Sequence, residues 1–405
     1  MSAETLINKK RSSRVSSVEF WRFVFTVLVC IYHLEISFIK GKHLPSGTAA
    51  VEFFFILAGF LIAMSASHSL SGRTDKVTTK EAAAKAVDFV WKKVKAIYPI
   101  LIVALILHYA IPSSSTFSFG QETSKISQIL NSEWDLLFMT GTPFGYNNGM
   151  TAIVPLWFLT ALLVVGYIYT FAVYRNYDLT MFLAPVLGVL FLTYFGLKSS
   201  LILDFNIQMG FLTAGMVRAF AEMALGIAIF GLYSHLSKKK LGAFWIVMLT
   251  LLEIYAIYRY FALTIDQPAG LDNFRRIVYI MIIILLSFMN VGQVSRIFNN
   301  PFSRWLGSIS LAMYLCHYPL VSFYFNVLNA VKAKYTTGAL ADFVSDMGGY
   351  SGWSSIPMTW KDRLVYILIV IIFSAILTLL INICKKLISS RRIKETEKTE
   401  VTAGV

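Results

Sequence analysis

VEFWRFVFTVLVCIYHLEISFI, residues 18–39, is an apolar run long enough to cross a bilayer as one helix, yet Glu19, Arg22, His33 and Glu35 lie within it. The residues before it, with Lys9, Lys10, Arg11 and Arg14, have the basic start of a signal peptide. The ionisable groups and the lack of a small-residue cleavage site argue instead for a retained first membrane helix.

The rest of the chain repeats this signal. It is 57% hydrophobic and 14% charged, with a mean hydropathy of +0.65, which fits a membrane protein and not a soluble domain. Further apolar stretches lie near 49–67, 92–111, 153–174, 180–198, 212–233, 241–261, 275–291, 305–329 and 364–387. With the first, they make about ten spans. The expected fold is therefore all-α and polytopic.

A net charge of +14 in a soluble protein would suggest nucleic acid. Here the cations cluster in alternate connections: the N-terminus, 68–91, Arg175, Lys238 to Lys240, 292–304 and the tail from Lys385. That bias puts both termini in the cytoplasm and argues against a nucleic-acid partner. The organisation read from it is a basic N-terminus over 1–17, a membrane domain over 18–388 and a charged tail over 389–405, expected to lack structure. The polar loops 112–152 and 330–363 fall on the opposite face, as solvated loops or as a surface for a hydrophilic partner. Cys30, Cys316 and Cys384 lie in apolar stretches without ligand spacing, and no histidine pattern supports a metal.

Ionisable groups inside the bilayer need a partner, a cavity or a function. They fall in two layers. The inner one holds Glu19 and Arg22, neighbours at i,i+3, with Lys92, Lys93 and Lys95 at similar depth. Such cations suit a phosphate-bearing ligand from the cytoplasm, or they snorkel and set topology. The outer layer is reached along the first helix, where His33 stands about 16 Å above Arg22 and about 20° from it around the axis. Glu52, near the outer end of the second span, is at a depth to orient His33. Arg218 and Glu222 form an i,i+4 pair on the sixth span, either shaping a site or neutralising each other. Glu35 points away from His33 and is expected at the interface. His317, in SLAMYLCHYPL before Pro319, lines a locally opened helix or serves as packing glue, and glue is also the bland reading of His33.

These segments resemble the acyltransferase-3 family of membrane O-acyltransferases, from about residue 14 to 325. Glu19, Arg22 and His33 match its acidic, arginine, ten-residue gap and histidine element. VEFFFILAGFLIA at 51–63 matches its acidic-aromatic segment, with Ala58 in place of the usual serine, a change expected to affect helix packing alone. VPLWFLTAL at 154–162, MVRAFAEMALGI at 216–227 and WLGSISLAMYLCHYPL at 305–320 follow in order. Before Pro99 the family shows two arginines three apart; Lys93 and Ala96 occupy those positions, whereas Lys92 and Lys95 keep the spacing one residue earlier.

The resemblance implies transfer of an acyl group, usually acetyl, from cytoplasmic acyl-CoA to a hydroxyl of a carbohydrate or lipid-linked glycan outside a bacterial plasma membrane. No bound cofactor or metal is implied; acyl-CoA is the donor substrate. His33 and Glu52 would be catalytic, with His33 a base or an acylated nucleophile. Glu19, Arg22, Lys92, Lys93 and Lys95 would hold acyl-CoA, and Arg218, Glu222, Trp157 and His317 would be acceptor-side or structural. The chain would act alone or pass its acyl group to a separate extracytoplasmic protein. A transporter or flippase is the alternative, since intramembrane Arg, Glu and His also build substrate pathways.

Overall fold

A computed structural model describes residues 15–36, 46–111, 153–199, 207–267, 272–334 and 359–403, with isolated positions between them. The loop 112–152, much of 330–363 and His43 lie outside the described residues. The helices are α1 (Ser16–Ile36), α2 (Ala50–Leu70), α3 (Thr79–Ala110), α4 (Leu156–Arg175), α5 (Tyr177–Ser199), α6 (Ala214–Leu236), α7 (Ala243–Asp266), α8 (Asp272–Met289), the short α9 (Gln293–Ile297), α10 (Pro301–Lys334) and α11 (Trp360–Ala403).

Each expected span is a helix. Among the described residues, eight are long and apolar enough to cross a membrane. The other two spans fall on α3, whose first half is rich in lysine, and on α8, which opens with Asp272, Arg275 and Arg276. Strand structure among the described residues is confined to two small antiparallel pairs. The chain is an all-α polytopic membrane protein. The backbone of α11 stays helical to Ala403, through residues whose composition suggests a tail without structure.

Contacts fix which ends lie together. Arg304, at the start of α10, donates to the Ser16 hydroxyl at the start of α1. At the far end Glu35 of α1 binds Arg363 at the start of α11, 2.6 Å apart. α11 therefore returns to the side from which α1 set out. Glu35 is 1% exposed and also accepts from the Leu44 amide, so it ties the end of α1 to its neighbours.

The bundle is dense where the site lies. α1 packs along α10, and α6 packs against both α2 and α5. At the α2–α6 crossing small residues let the backbones touch. A Cβ on Gly59 would lie 1.9 Å from the Met223 carbonyl oxygen, and one on Gly226 would lie 2.0 Å from that of Ile56. In lipid, where burying apolar surface gives helices little reason to associate, such close packing holds them together. We expect Gly59→Ala or Gly226→Ala to force the helices apart and cost about 1–3 kcal/mol. Thermal unfolding of the detergent-solubilised protein measures this; unchanged melting would show that the crossing tolerates the methyl group.

Candidate active site

A cavity of about 450 Å³ opens among α1, α2, α3, α4 and α10. At the basic end its walls carry Glu19, Arg22 and Lys93. Arg22 donates to both Glu19 oxygens, at 2.8 and 3.1 Å, and remains 29% exposed, so the pair leaves guanidinium surface for a ligand. Glu19 lies tight against Gly307 of α10, where a Cβ would come within 2.2 Å of its carboxylate. That glycine lets α1 and α10 approach closely enough to shape the wall.

The lysine register follows from helix rotation. Lys93 and Ala96, the positions aligned with the family arginines, face the cavity. Lys92 instead pairs with Asp88 at 2.6 Å in the open, and Lys95 lies over the Trp91 ring at 4.9 Å. Neither lines the cavity. Ala58 does, so its departure from the family serine bears on the chamber as well as on packing.

Deeper in, the walls are apolar and end near Thr26, Phe54, Phe158 and Tyr314. One turn above Tyr314 is His317, fully buried, and beside it the half-buried His33. His33 Nδ1 is 2.9 Å from the Val29 carbonyl and 3.2 Å from His317 Nε2. His317 Nδ1 is 2.7 Å from the Tyr314 carbonyl and 3.2 Å from that of Met313. A carbonyl oxygen only accepts, so both Nδ1 atoms carry hydrogen. His33 then shares its N–H between Val29 and the lone pair on His317 Nε2, and its own Nε2 is the basic nitrogen. Tyr366 donates to the His317 carbonyl at 2.8 Å and steadies the helix there. α10 remains helical through Pro319.

Glu52 does not orient His33. It pairs with Arg218 at 2.8 Å, both nearly fully buried. Glu222 stands 4.0 Å from Arg218 Nε and interacts with the Glu52 carboxyl. The Arg218 guanidinium lies over the Trp157 ring at 5.2 Å, and Trp157 stacks on Phe205. This cluster joins α2, α4 and α6. Arg218, Glu222, Glu52 and Trp157 are thus buried together in one cluster.

Among the buried groups that escaped the sequence reading are Glu253 and Arg276. Glu253, midway along α7, accepts from the amide and hydroxyl of Ser295 and sits where a Cβ on Gly292 would fall, so it holds the turn between α8 and α10. Arg276 donates to the Leu263 and Gln267 carbonyls and caps the C-terminus of α7. Both are ionisable residues in or beside apolar runs, the signal that marked the other sites.

The acyltransferase-3 family model, described as an acyltransferase domain, matches residues 15–383, nearly the whole chain. No curated protein and no solved structure matches it.

Proposed function

This chain belongs to the acyltransferase-3 family, and from that premise we propose that it carries an acetyl group from cytoplasmic acetyl-CoA to a hydroxyl of a cell-envelope carbohydrate across the membrane. One observation carries the reading. The chamber has Arg22 and Lys93 at its basic end and comes up, at its apolar end, to Tyr314 beneath the His33–His317 pair. Cations there suit the CoA phosphates, and apolar walls suit the pantetheine arm and acyl group. A volume of about 450 Å³ is that of a small-molecule site and leaves the nucleotide toward the cytoplasm.

His33 Nε2 takes the proton of the acceptor hydroxyl as its oxygen attacks the thioester carbonyl carbon. The tetrahedral intermediate collapses, the carbon–sulfur bond breaks and the CoA thiolate leaves. The proton on Nε2 then returns to the thiolate through solvent, so the step begins and ends with neutral His33. The Val29 carbonyl and His317, which hold the Nδ1–H, fill the orienting role first expected of Glu52. Family membership as an acyltransferase sets the transporter alternative aside.

Mass analysis of surface glycans from cells with and without the gene tests this: an acetyl increment should depend on the gene, and identical glycans would refute the acceptor class. Lys93→Glu tests the donor end. It should raise the apparent KM for acetyl-CoA about tenfold or more, the worth of one charge-assisted contact, with little change in that for acceptor. Equal rises for both substrates would argue against a donor site in the chamber.

A further inference from the structure

Three aromatic rings line the end of the chamber nearest the histidine pair. Phe158 lies 5.5 Å from Tyr314 and 5.9 Å from Phe54, and Phe54 lies 6.4 Å from Tyr314, centroid to centroid. All three line the chamber's inner end, whereas neither His33 nor His317 does. The Tyr314 ring is 5.9 Å from His317, whose ring is 4.9 Å from His33.

The rings are braced. The Tyr314 hydroxyl donates to the Pro155 carbonyl at 2.8 Å, and Phe55 backs Phe158 at 4.6 Å. Phe158 and Tyr314 are each 5% exposed. Close-packed rings fixed from behind do not absorb extra methylenes without strain. A thioester whose carbonyl lies within reach of the hydroxyl that His33 Nε2 activates has its acyl group against these rings, so each added carbon is pushed into them. Phe54, the half-buried member, is the one with room to move.

We infer that Phe54, Phe158 and Tyr314 gauge the length of the acyl group, admitting a two-carbon chain and rejecting longer ones. This rests on the acyl-CoA reading above and adds the residues that set donor specificity. Discrimination per methylene in an apolar pocket is about 10-fold or more, so the unaltered protein should favour acetyl-CoA strongly over butyryl-CoA.

The test compares acetyl-, propionyl- and butyryl-CoA in membranes holding the full chain and its native acceptor, reading both CoA release and glycan-bound label. Phe54→Ala and, as a milder change of volume, Phe158→Leu should each move the butyryl-to-acetyl ratio upward, by about 10-fold for Phe54→Ala, whatever their absolute rates. An unchanged ratio in both variants, or equal loss of all three donors with protein levels intact, overturns the gauge. If the unaltered protein consumes none of the three donors, the acyl-CoA reading itself fails.

Discussion

His33→Ala lowers acyl transfer by about 10²- to 10⁴-fold, the range that a positioned general base supplies, while the protein still accumulates in the membrane. Geometry is the reason. The N–H on Nδ1 is committed to the Val29 carbonyl at 2.9 Å and to His317 at 3.2 Å, which leaves Nε2 to take the proton. Half-buried on α1, His33 can be truncated at small cost to the fold. His33→Gln keeps polar character but cannot gain a proton in this range, and it should be as inactive as alanine. The check is label transfer to acceptor in membranes, normalised to the amount of protein. Near-normal transfer by either variant would return His33 to the role of packing glue between α1 and α10.

The second large effect is on stability. Arg218→Met should cost about 3–5 kcal/mol, because it leaves the carboxyls of Glu52 and Glu222 buried together without their cation. The three side chains are 1%, 2% and 0% exposed respectively, so solvent cannot take the cation's place. Methionine fills similar volume, which separates the electrostatic loss from a cavity. Replacing the set, as Arg218→Met with Glu52→Gln and Glu222→Gln, should recover much of the loss, since a buried ionic cluster removed as a whole is tolerated better than one left broken. Thermal unfolding in detergent and accumulation in membranes read both variants. Arg218→Met protein that melts normally yet has lost transfer would instead place Arg218 in the reaction.

The contrast between these residues shows where sequence reasoning reaches and where it stops. Spans were legible because a bilayer demands long apolar helices. The shared face of Arg22 and His33 was legible too, since both lie on one helix and its pitch relates them. Both indeed look toward the α10 side, Arg22 into the chamber beside Gly307 and His33 onto His317.

Partners on different helices are another matter. Depth brings Glu52 level with His33, but which neighbour α2 turns toward depends on lateral packing, and α2 lies along α6 through Gly59 and Gly226. Glu52 thus meets Arg218. The same limit applies to Lys92, Lys93 and Lys95, because each residue along a helix turns the side chain by about 100° and the tertiary context of α3 selects which one faces inward. The family register, carried by Lys93 and Ala96, coincides with the face that lines the cavity. Glu253 and Arg276 meet the same rule that marks Arg218.

The central claim is that this one chain joins a donor on its basic face to an acceptor on the other. Oriented membrane vesicles carrying the native glycan test it most directly, with labelled acetyl-CoA supplied to one face at a time. Label should reach glycan on the opposite face only when the donor meets the face bearing Arg22 and Lys93, and should be lost with His33→Ala. Labelling that requires donor and glycan on the same face would contradict the account.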